Sequence, residues 1–203
     1  INGDSISDYT GYAISLSYNG ERLAIGQPRW EPNSTQSGIG RVRVFKYNYF
    51  DGNEYWTQLG SYMIGEDGGD NFGHAVAFSG DGTTIAVGAP YNDNNGTNSG
   101  FVKVYRYNAN NNLWNQIGLT LTGQSQDDFG YSLSLSNDGS VLAIGAKDHR
   151  PGSSTNYGRG LVRVYRYSNN SWNQLLDDFI GSKNYDYLGF SVSLSYDGTI
   201  LSF

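Results

Sequence analysis

The chain has 203 residues, with 19 acidic against 13 basic side chains, a formal charge of −6, and 28 glycines beside 17 tyrosines, 9 phenylalanines and 4 tryptophans. The acidic balance excludes a nucleic-acid binder, which needs a basic face, and disfavours an anionic membrane surface; no apolar run approaches the ~20 residues of a spanning helix. With no cysteine, disulfides and thiolate metal sites are excluded too.

Repetition organises everything else. The first predicted strand, Gly11-Tyr-Ala-Ile-Ser-Leu-Ser17, recurs from Gly73, Gly130 and Gly189. Each copy runs into a turn signal, Asn19-Gly20, Asp81-Gly82, Asp138-Gly139 or Asp197-Gly198, and the expectation is a tight type I′ turn. A second strand follows at Leu23–Gly26, Ile85–Gly88 and Leu142–Gly145, and a third at Val42–Tyr47, Val102–Tyr107 and Val162–Tyr167. The fourth carries Trp56, Trp114 or Trp172. Each repeat therefore reads as a four-stranded antiparallel meander, with repeats at approximately 3–64, 65–122, 123–180 and a partial one at 181–203.

Two details fit that reading. The intervals Tyr47–Trp56, Tyr107–Trp114 and Tyr167–Trp172 are 9, 7 and 5 residues. Steps of two lengthen a hairpin without inverting its faces, whereas an odd step would invert them. In strand one, Ile14 and Leu16 point one way and Ala13, Ser15 and Ser17 the other. A bulky face and a small face, both without charge, suit a sheet covered on both sides by its neighbours. The predicted fold is all-β: a β-propeller of four-stranded blades, three complete repeats plus the first two strands of a fourth.

Phe72-Gly73 and Phe129-Gly130, followed by Val87-Gly88-Ala89-Pro90 and Ile144-Gly145-Ala146, resemble FG-GAP repeats, the blades of integrin α-subunit propellers and related extracellular proteins. The resemblance implies a propeller and an extracellular or cell-surface setting. Many blades of that family hold calcium between strands one and two. Here that connection is a short Asn-Gly or Asp-Gly turn with too few oxygens, so no metal and no other cofactor is expected.

An aspartate stands three residues before each strand-one glycine: Asp8, Asp70, Asp127 and Asp186. A ring of them would take a cation or basic ligand, but a repeated residue more often solves a repeated packing problem, here by accepting backbone N–H bonds. The basic pairs of strand three, Arg43/Lys46, Lys103/Arg106 and Arg163/Arg166, read as stems laid over neighbouring strands rather than an anion stripe. His74 fills the slot held by Tyr12, Tyr131 and Phe190 in the other repeats, and His149 lies in a loop, so neither is expected to be catalytic. The two-to-three loops are the default binding face, with Trp30, Tyr91 and Tyr157 as aromatic platforms. Sequons at Asn33, Asn95 and Asn169 fall in predicted loops.

The chain opens at Ile1 without a visible signal peptide and stops inside a predicted strand at Phe203, so it is expected to sample a longer tandem array. The functional expectation is a non-enzymatic extracellular structural or adhesion protein. Its partners would be other protein chains or copies of itself. The alternative is a carbohydrate-binding propeller that takes glycans on its loop face.

Overall fold

The computed structural model describes residues 1–3, 7–33, 37–152 and 157–203, and they contain strands and turns but no helix. The first sheet comprises β1 (Ala13–Leu16), β2 (Arg22–Gln27), β3 (Arg41–Phe50), β4 (Asn53–Gln58) and β5 (Met63–Ile64). The second is β6 (Ala75–Phe78), β7 (Thr84–Ala89), β8 (Phe101–Asn108), β9 (Leu113–Gln116) and β10 (Leu121–Thr122). The third is β11 (Phe129–Leu135), β12 (Val141–Ala146), β13 (Leu161–Ser168), β14 (Ser171–Gln174) and β15 (Phe179–Ile180). A hairpin of β16 (Ser193–Leu194) and β17 (Leu201–Ser202) follows. All pairings within these sheets are antiparallel, and no sheet closes on itself.

The parity argument holds in the register. Tyr47 pairs with Trp56, Tyr107 with Trp114 and Tyr167 with Trp172. The longest hairpin extends its arms to Phe50 and Asn53, while the middle one places its two extra residues in the loop between Asn108 and Leu113.

Two expectations need correction. The fourth strand is broken in two: β4 pairs with the far half of β3 and β5 with its near half, and the other sheets repeat this. The break lies at Gly60 and Gly118, both at positive φ, where the indole of the next repeat's tryptophan enters. Trp114 Nε1 donates to Leu59 O at 2.9 Å and Trp172 Nε1 to Ile117 O at 3.2 Å. The first turn is not type I′ either, because only its glycine has positive φ. Ser79 N donates to Thr84 O and Gly82 N to Ser79 O, which makes a four-residue loop. Its shape is set by a side-chain clasp. Asp81 Oδ1 accepts from Ser79 Oγ and Thr83 N, while Ser79 Oγ accepts from Thr84 N. Ser17–Asn19, Ser136–Asp138 and Ser195–Asp197 repeat the clasp.

Between sheets, the bulky face of one repeat nests on the small face of the one before. Phe78, Ile85, Val87 and Phe101 pack on Ala24, Val42 and Val44, and Leu135, Leu142, Ile144 and Leu161 pack on Ala77, Ala86, Val102 and Val104. Polar interlocks fix the register: Phe78 N donates to Ser15 Oγ and Leu194 N to Ser134 Oγ. The family-like motifs meet at these same interfaces. A Cβ on Gly26, Gly88 or Gly145 would strike the carbonyl oxygen of Gly73, Gly130 or Gly189 in the next repeat. The first strands β1, β6, β11 and β16 stand side by side and arc, so that the rings of Tyr18 and Tyr196 meet edge to face at 6.0 Å.

Candidate functional site

Local backbone geometry builds the loop face. The residue two before each strand-one glycine, Tyr9, Asn71, Asp128 or Tyr187, adopts positive φ. That kink turns the chain from the four-to-one loop into strand one.

The repeated aspartates hold these loops. Asp70 Oδ2 accepts from Asp67 N at 3.1 Å and Asp127 Oδ2 from Gln124 N at 2.7 Å. The second oxygen reaches the two-to-three loop: Asp70 Oδ1 accepts from Asn92 Nδ2, and Asp127 Oδ1 faces His149 Nδ1 at 2.8 Å. Burial pushes the Asp70 carboxyl up. Asp186 accepts from Lys183 N at 2.8 Å and from Ser182 Oγ, and these bonds hold its carboxyl down. Asp8 is buried, and the residue three before it lies outside the described residues. Among the described residues, no three His, Cys, Asp or Glu side chains gather as a metal site.

The three loop aromatics do not form one platform. Trp30 and Tyr62 sandwich the Arg41 guanidinium at 4.6 and 4.9 Å, and burial beside Arg43 lowers Arg41 to about 10. Tyr157 stacks on Tyr185 at 6.3 Å, with Arg150 5.0 Å from its ring. Tyr91 meets His74 edge on at 5.7 Å. In strand three, Lys103 pairs with Glu66, Arg163 pairs with Asp178, and Arg106 lies over Tyr167. Among the sequons, Asn33 and Asn169 are exposed, while Asn95 Nδ2 is engaged to Gly123 O at 2.7 Å. Ser34 and Thr35 of the first sequon lie outside the described residues.

The feature that sequence reading passed over is a row of rings. Tyr12, His74, Tyr131 and Phe190, one per repeat, follow one another at centroid spacings of 5.0, 4.8 and 5.3 Å. The signal was the shared slot, but a slot does not reveal that its occupants touch. Burial, helped by the nearby Lys147 ammonium, lowers His74 to about 4, so it is neutral at pH 7. Burial alone would lower Lys147 as well, but Asp128 and Asp148 outweigh it and hold the ammonium well above its usual range.

Beside this row a cleft of about 130 Å³ opens between the first and second repeats, lined by Tyr9, Tyr12, Arg29, Asn71, His74 and Tyr91. Tyr9 and Tyr12 are half exposed and nearly parallel, 14° apart, and Arg29 lies 4.9 Å from the Tyr9 ring. A related cleft of about 240 Å³ between the third and fourth repeats is lined by Lys147, Asp148, Tyr187 and Phe190.

Residues 65–105, from the four-to-one loop through β6 and β7 into β8, match the family described as FG-GAP repeat. The match covers one repeat of the chain. The matched segment holds Asp70, Phe72-Gly73, the Ser79–Asp81 clasp and Gly88-Ala89-Pro90. No curated protein matches the chain. A solved structure described as a 6-phosphogluconolactonase, from Bacteroides uniformis, is similar with a TM-score of 0.57 at 13% identity, over 93% of this chain and 45% of that one. A second, described as selenium-binding, from Sulfolobus tokodaii, has a TM-score of 0.51 at 10% identity, over 84% of this chain and 41% of that one. At such identities the likeness is one of fold alone. This chain spans less than half the length of either.

Proposed function

We propose that this chain is a run of β-propeller blades and serves as a non-enzymatic structural or adhesion protein of the cell exterior, acting through protein–protein association. The observation that carries this reading is the outer face of the first sheet. Ile14 is 65% and Leu16 55% exposed, whereas Phe78 and Leu135, on the same face one and two repeats on, are 6% and 9% exposed. Burying two such side chains contributes about 3–6 kcal/mol, which does not by itself meet the roughly 4–15 kcal/mol cost of association. A neighbouring sheet, of this protein or of another copy, would cover the rest of the strand as well. A sheet with a small-residue face and a serine to accept the Leu16 amide, as Ser15 accepts the Phe78 amide, meets that demand.

Sedimentation equilibrium tests the reading. The chain should self-associate with increasing concentration, and Leu16→Glu should abolish this while leaving the fold intact by circular dichroism. A wild-type chain that stays monomeric into the hundred-micromolar range would sink it.

A second reading, carbohydrate binding on the loop face, is favoured by the cleft beside Tyr9 and Tyr12, where flat rings, amide and guanidinium groups converge. Screening the intact chain against immobilised glycans tests it. Complete absence of binding would remove it.

A further inference from the structure

We propose that the cleft between the first and second repeats takes a sugar bearing a carboxylate, with the pyranose ring on the Tyr9 and Tyr12 rings and the carboxylate on Arg29. The proposal rests on the carbohydrate reading and adds the ligand's charge.

Three observations carry it. First, Arg29 is the cleft's charged lining residue, it is exposed, and it makes no ion pair among the described residues, although the chain as a whole carries −6. A guanidinium presents paired donors that match a carboxylate, and its seat over the Tyr9 ring holds it ready. Second, Tyr9 and Tyr12 are half exposed with nearly parallel rings, and an aromatic face presents negative π density to a ligand's C–H groups. The Asn71 amide and the Tyr91 ring line the same cleft, the amide able to bond ring hydroxyls. At about 130 Å³ the space is smaller than a drug-sized pocket and suits one ring at a chain end.

Third, the repeat supplies its own comparison. In the related cleft Tyr187 and Phe190 stand in the places of Asn71 and His74, while the third repeat has Asp128 and Tyr131 at the positions of Tyr9 and Tyr12. The place of Arg29 is taken by Asp148, and the Lys147 ammonium is already neutralised by Asp128 and Asp148 at 2.7 and 2.6 Å. An anion is therefore accommodated in the first cleft and repelled from the second. Between them, Tyr91 takes the place of Arg29 and stands against His74 of its own repeat, and Lys147 pairs with Asp128 within the third repeat.

The experiment is titration of the intact chain with methyl β-glucuronide and, in parallel, methyl β-glucoside, followed by ligand-observed NMR. The glucuronide should bind at least tenfold more tightly, and that preference should shrink with added salt. Arg29→Gln should remove the preference, Arg29→Lys should retain part of it, and Tyr12→Ala should weaken both sugars. Equal binding of the two sugars, or glucuronide binding that Arg29→Gln leaves unchanged, would overturn the charge assignment while the carbohydrate reading stands. Binding of neither sugar, with no other glycan bound in the screen, would end both.

Discussion

At the scale of single residues, two kinds of titrating group divide the acid range between them. His74 is held near 4 by burial between the rings of Tyr12 and Tyr131, while an unfolded imidazole titrates near 6.5. The unfolded chain then binds more protons between these values, so stability falls as pH drops from about 6.5 to about 4, by as much as roughly 3 kcal/mol. Replacing His74 with Phe, the fourth repeat's counterpart side chain being Phe190, should flatten thermal stability over that window. A melting temperature that still declines equally between pH 6.5 and 4.5 would refute the assignment. The clasp aspartates act lower. Bonds from Ser195 and Thr199 hold Asp197 at about 2, and at Asp81 and Asp138 similar bonds outweigh burial and lower the carboxyl. Their contribution is complete above about pH 4 and is lost as pH falls toward 2. Asn19 already serves as an uncharged version in the first repeat. Asp81→Asn, Asp138→Asn and Asp197→Asn combined should therefore keep the fold at pH 7 and lose less stability between pH 4 and 2 than the wild type. Circular-dichroism melts across that range measure the difference.

At the scale of the element, the glycines of strand two matter more than those of the turns. Gly88 has ordinary backbone angles, yet a methyl group there meets the Gly130 carbonyl, a backbone atom that cannot swing aside. Gly20 has φ of +72° and open space around it, so alanine there costs conformational strain alone, about 1–2 kcal/mol. Gly88→Ala should cost more, roughly 1–3 kcal/mol from overpacking plus the lost nesting of β7 on β11, and urea denaturation of the two variants should rank them so. These elements also mark what the sequence makes legible. Strand order, hairpin register and the two faces of strand one follow from period-two patterning and from Tyr–Trp parity, because both are local rules. The break in the fourth strand was hidden because its cause, a tryptophan indole, comes from the next repeat. The first turn was misread because Asp-Gly also serves a clasped four-residue loop, and the deciding Ser79 stands two positions earlier. The cleft was invisible for a similar reason: Tyr12 and Arg29 are close in the chain, but His74 and Tyr91 reach it only through sheet stacking.

At the scale of the whole molecule, stability should be graded along the stack. Strands β7 and β12 are buried at every position, each central in its sheet and covered on both faces by neighbours. Strand β1 alternates half-buried and exposed residues, and β16 and β17 form a two-stranded hairpin with exposed positions in each strand. Local opening takes least free energy where few apolar contacts break. Native-state hydrogen exchange should accordingly find the slowest amides in β7 and β12, and fast exchange in β1 and β16–β17 of the dilute chain. The same measurement bears on association. If the Ile14–Leu16 face is a docking surface, amides of β1 should gain protection as concentration rises, while those of β7, already buried, should not change. Protection in β1 that is independent of concentration and equal to that in β7 would mean that the exposed face is closed within a single chain. In that case the pattern of bulky face on small face, rather than a second chain, would account for the whole of the stack.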